Sequence, residues 1–120
     1  MKKVILLTIL WIIFVACYIA WGMEIYEGLA SYYTVKSSSN ITASGEVFKE
    51  KELTCAFMEA PFNSILKVTN LESGKSVIVK VNDRGGFKKY GRAIDLSSGA
   101  FAKIAPLEKG LIKVRIERIK

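Results

Sequence analysis

Val77-Ile78-Val79-Lys80-Val81-Asn82-Asp83-Arg84-Gly85-Gly86-Phe87 sets three branched apolar residues two apart and then breaks off into a charged pair and two glycines. Val77, Val79 and Val81 fall on one face of an extended chain and Ile78 and Lys80 on the other, the pattern of a half-buried strand. Gly85 and Gly86 allow a bend at backbone angles closed to most residues. Asp83 and Arg84 therefore stand at the rim of a sheet beside a turn, a position suited to acid–base chemistry. Taken alone, the same residues also read as a surface turn with a solvated aspartate.

The rest of the chain repeats the pattern. Leu29 to Thr34 reads as a first strand and Leu53 to Phe57 as a second, closed by Pro61. Thr42 to Phe48 is rich in turn formers, and Lys36 to Asn40 is a polar loop. Ile65 to Thr69 and Ser76 to Asn82 flank Glu72-Ser73-Gly74-Lys75, a hairpin signal. Ala93 to Leu96 is a short strand, and Ser97 is placed to cap a helix through Ile104 that Pro106 ends. From Leu111 to Ile119 the chain alternates again, with Ile112, Val114, Ile116 and, after a slip, Ile119 on the apolar side. Short strands with one helix and no repeat predict an all-β barrel or sandwich of one domain, from about residue 28 to 119.

The first residues are different. Lys2 and Lys3 precede an apolar run from Val4 to Trp21, the layout of an export signal and close to the length of a membrane span. Residues 1–22 are thus expected to be a signal peptide or a hydrophobic anchor helix. Three fates stay open: cleavage after Gly22, lipidation at Cys17 within Phe14-Val15-Ala16-Cys17, or a retained anchor. Each places the domain in a cell envelope, exported or attached to the membrane. Without that segment Cys55 is the only cysteine, so no internal disulfide can form, and its apolar surroundings predict a buried thiol. The net charge of +7 suits anionic envelope polymers or lipids, and serves solubility equally well. No basic run alternates with RNA-binding aromatics, so nucleic acid is not an expected partner.

The chain has no histidine. That removes Ser–His and Cys–His nucleophiles and, with one cysteine outside the leading segment, makes a zinc site implausible. Gly85-Gly86 lacks the spacing of a phosphate-cradling loop. Carboxylates remain for proton transfer. Asp83 and Asp95 each sit at a strand edge, and if the fold brings them together their repulsion would keep one protonated for glycosidic cleavage. Arg84 is a candidate to hold a sugar hydroxyl or carboxylate. Tyr33 is a candidate to stack on a sugar ring and Thr42 and Ser44 to hydrogen-bond one; core packing and local turn bonding are the competing roles.

Gly28-Leu29-Ala30-Ser31-Tyr32-Tyr33, Thr42-Ala43-Ser44-Gly45-Glu46, Pro61-Phe62, Val68-Thr69-Asn70-Leu71, Val81-Asn82-Asp83-Arg84-Gly85 and Gly91-Arg92-Ala93-Ile94-Asp95-Leu96-Ser97 occur in the order seen in the rare lipoprotein A (RlpA) family. The resemblance covers residues 28–119. It implies a six-stranded double-psi β-barrel, related to expansins and barwin-like endoglucanases. It implies a lytic transglycosylase that cuts peptidoglycan glycan strands, preferably without stem peptides, and leaves 1,6-anhydromuramyl ends. No cofactor or metal is implied, and a monomer is expected. Asp83 matches the family's catalytic aspartate and Asp95 the second acidic position. The family's Thr-Ala-Ala-His segment reads Thr54-Cys55-Ala56-Phe57 here, so a phenylalanine that can neither give nor take a proton stands at the histidine's place. Gly86 stands where the family has proline. An expansin-like binding or wall-loosening module without turnover is therefore the alternative expectation.

Overall fold

A computed structural model describes residues 24–34, 41–85 and 91–120. The leading apolar segment with Cys17, the polar loop 36–40 and Gly86 lie outside the described residues. Six strands, β1 (Ile25–Tyr33), β2 (Thr54–Ala56), β3 (Ile65–Asn70), β4 (Ser76–Asp83), β5 (Arg92–Ser97) and β6 (Ile112–Arg118), close into a barrel in the order β1-β5-β2-β4-β3-β6. One helix, α1 (Ser98–Ile104), and a 3₁₀ turn (Leu107–Lys109) link β5 to β6. The β1/β5 and β2/β4 pairs are parallel and the other four ladders antiparallel. This is the barrel expected from the sequence, with one short helix among the described residues.

The alternating strands fill the interior as their periodicity requires. Val77, Val79 and Val81 are buried while Ile78 points out, and Ile112, Val114 and Ile116 are buried on β6. Two boundaries differ from expectation. β1 begins at Ile25, because Ile25, Tyr26 and Glu27 extend the ladder against Glu117, Ile116 and Arg115. Ile119 is exposed, because β6 ends at Arg118 and the chain then crosses to donate its N–H to Ile65 O. β1 also needs Gly28. A Cβ there would stand 2.6 Å from the Ala93 Cβ, so only glycine lets β1 close on β5 where their register shifts.

Side chains tie the connections to the barrel. Ser97 caps α1 by accepting from Ala100 N at 3.2 Å, and its hydroxyl donates to Glu52 O at 2.6 Å. Asn70, at the hairpin, donates to Ile104 O at 2.9 Å and accepts from Glu72 N at 3.0 Å, which joins the turn to the end of α1. Cys55 is fully buried and burial pushes its thiol far above the usual range.

Candidate active site

β2 lies between β5 and β4, and its Ala56 is the Cα partner of Asp95 on one side and of Asp83 on the other. Across the next ladder Asp95 pairs with Ser31 of β1. Cross-strand partners project to the same face. Ser31, Asp95, Ala56 and Asp83 therefore form one row over four strands. Their neighbours Ala30, Leu96, Cys55 and Val81 fill the core, so the row faces outward. The acids stand two strand spacings apart, about 10 Å, with the small Ala56 as the floor between them. Asp83 and Asp95 are part-exposed on this face, while Ser31 and Ala56 are covered.

The outward position of Asp83 is not what alternation predicts. Counting in twos from Val77 would turn Asp83 inward with Val81. Cys55 pairs with Val81 while Ala56 pairs with Asp83, so β4 carries one extra residue at Asn82. That bulge turns the carboxylate from the core to the surface.

A second row runs beside the first: Tyr33 pairs with Ser97, and Thr54 with Lys80. The Thr42–Glu46 turn folds against this quadrant. Gly45, at φ +91°, donates its N–H to Thr42 O at 2.9 Å, and Ser44 N donates to Asn82 O at 3.2 Å. Glu46 Oε2 lies 2.7 Å from Lys80 Nζ, and the hydrogen bond to that ammonium holds the Glu46 carboxyl below its ordinary range. The turn thereby presents Ala43 N to Asp83 Oδ1 at 3.0 Å. Arg84 N donates to the same oxygen at 2.8 Å.

The residues singled out in the sequence take different places. Asp83 and Asp95 share one face, but each has its own donors and no hydrogen bond joins them among the described residues. Asp95 Oδ1 accepts a hydrogen bond from Ser31 Oγ and lies 3.4 Å from Arg92 Nη1. Arg84 does not aim its Nη1 at that shared face: it donates to Phe57 O at 2.7 Å, and the guanidinium lies 4.1 Å over the Phe62 ring. Thr42 and Ser44 bond each other at 2.9 Å within the turn, and Thr42 is buried. Tyr33 lays its ring at a tilt on Phe48, with centroids 4.6 Å apart. Its hydroxyl is buried near Thr54, with no hydrogen bond of good geometry. Burial, and then the charge of Asp83 and less so of Asp95, push the phenol far above its usual range, so it stays neutral. Phe57 is core, edge-on to Tyr26 at 5.4 Å.

Ser31 and Arg92 are the participants that reading the residues missed. Both lie in quoted motifs, but a serine in a strand and an arginine after a glycine carry no signal until the parallel β1/β5 ladder sets them together. Among the described residues no group of three or more Cys, Asp or Glu is placed to hold a metal ion.

The fold is a closed six-stranded double-psi barrel that holds two carboxylates separately on one face. A family model described as lytic transglycolase matches residues 25–116, and the chain belongs to that family. The endolytic peptidoglycan transglycosylase RlpA of Haemophilus influenzae is 46% identical over 95 residues, which cover 79% of this chain and 33% of that protein. The protein of the same name from Vibrio cholerae is 45% identical over 93 residues, covering 78% and 35%. The chain spans about a third of the length of these curated relatives. Among solved structures, the Streptomyces papain inhibitor superposes with a TM-score of 0.65 at 23% identity, over 81% of this chain and 96% of that one. A mutant Clavibacter michiganensis expansin in complex with cellohexaose gives 0.65 at 19% identity, over 81% and 51%. These two likenesses concern the fold alone.

Proposed function

We propose that this protein is an endolytic peptidoglycan lytic transglycosylase acting on glycan strands, with Asp83 as acid and base and Asp95 as its supporting carboxylate. The observation that carries the reading is the row Ser31–Asp95–Ala56–Asp83, which sets two part-exposed carboxylates on one face of the barrel. Asp83 gives its proton to the glycosidic oxygen, and the electron pair of the C–O bond leaves on that oxygen. The C6 hydroxyl of the muramyl residue attacks the anomeric carbon and returns its proton to Asp83. No water is added, and a 1,6-anhydro ring closes. One carboxyl group serves both steps, so the scheme runs without the family's histidine. The curated relatives are named for this activity.

Incubation of the 23–120 fragment with denuded glycan strands is expected to release products with 1,6-anhydromuramyl ends, read by mass spectrometry. Intact strands after prolonged incubation, with the protein retained on them in a pull-down, would replace this reading with the binding module. Phe57 favours that second reading, since it puts a core side chain where the family has an imidazole. The similar expansin structure is that of a cellohexaose complex. On either reading the domain works as a monomer in the cell envelope, brought there by residues 1–22. Fractionation of cells, with and without Cys17→Ala, distinguishes cleavage, lipidation and a retained anchor.

A further inference from the structure

The two acids differ in what holds them. Arg92 Nη1 lies 2.9 Å from Ser31 Oγ and 3.4 Å from Asp95 Oδ1. A guanidinium only donates, so the Ser31 oxygen accepts a hydrogen bond from Arg92. A serine hydroxyl has one proton of its own, and Ser31 donates it in the hydrogen bond to Asp95 Oδ1. The donors thus run one way, from Arg92 to Ser31 to Asp95, and end on an oxygen that accepts. Asp83 Oδ1 accepts instead from two neutral backbone N–H groups, of Ala43 and Arg84, and the neighbouring guanidinium is turned to Phe57 O and the Phe62 ring. Ser31 is buried, so its hydroxyl has little water to turn to.

We infer that Ser31 and Arg92 are positioning residues that fix Asp95 as a hydrogen-bond acceptor facing the reacting sugar, so that Asp83 alone carries the proton. This rests on the transglycosylase reading for its chemistry. Asp95 then neither gives nor takes a proton during the cycle. Its charge opposes the positive charge that builds at the anomeric carbon as the C–O bond opens, and a fixed carboxylate does this without rearranging.

The test joins turnover to a property of the resting protein. Carbon NMR of aspartate labelled at the carboxyl carbon reads the Asp95 carboxyl directly, assigned by its disappearance in Asp95→Asn. In Ser31→Ala the resonance is expected to move, and kcat to fall about tenfold or more with KM within about twofold. Ser31→Thr keeps a hydroxyl and is expected to restore both. Arg92→Gln, nearer the surface, is the second variant should Ser31→Ala not fold, and is expected to move the same resonance. An unmoved resonance in either variant, or a Ser31→Thr that behaves as Ser31→Ala, overturns the inference. A wild-type protein without turnover overturns the transglycosylase reading instead, while the resonance still decides whether Ser31 and Arg92 hold Asp95.

Discussion

Asp83 accepts two backbone N–H groups at one oxygen, and an asparagine amide oxygen can accept both in its place. Asp83→Asn is therefore expected to keep the melting temperature within a few degrees while losing 1,6-anhydro product by at least about 100-fold, the low end of what a general acid contributes. Phe57 shows why likeness of motif does not give likeness of site. Its ring is buried edge-on to Tyr26, so Phe57→His would put an imidazole where no partner waits for its polar atoms. Urea unfolding should report a loss of about 1–3 kcal/mol, the cost of a buried unsatisfied polar group. Cys55 answers to the same core. With its thiol held far above the usual range, it should resist thiol reagents in the native state and react only as the barrel unfolds, which a timed labelling assay reads.

At the scale of elements, Ser97 joins three segments through one hydroxyl. It caps α1, donates to Glu52 O and stands 3.5 Å from Thr54 N at the start of β2. Ser97→Ala removes the cap of α1 and one of two donors to Glu52 O, which keeps the N–H of Thr54. The expected cost is about 1–2 kcal/mol, measured by denaturant unfolding. The cap was legible because serine before a short apolar periodic stretch, with proline beyond, has a local meaning. The hairpin around Gly74 was legible for the same reason. The bulge at Asn82 was not. Nothing in Val81-Asn82-Asp83 marks an extra residue, because it exists only relative to the pairing of β2, a partner more than twenty residues away in the chain.

At the scale of the molecule, the barrel joins β1, from the start of the described fold, to β6 at its end, and among the described residues no disulfide locks that closure. Stability then rests on the single core, in which Leu66 and Ile116 are wholly buried. Leu66→Ala is expected to cost about 2–5 kcal/mol, with fluorescence and circular dichroism lost in one transition. One core shared by six strands leaves no part to unfold alone.

The alternation of Val77, Val79 and Val81, the cap at Ser97 and the absence of histidine are properties of short stretches or of composition. The strands, the helix and the expectation of carboxylate chemistry therefore followed from the residues in order. The row of Ser31, Asp95, Ala56 and Asp83 is assembled from four strands through two parallel pairings and one antiparallel pairing, which no local pattern encodes. That two acids share a face, that Ser31 and Arg92 hold one of them, and that Phe57 belongs to the core were decided by closure of the barrel, because register between distant strands is set only when they pack.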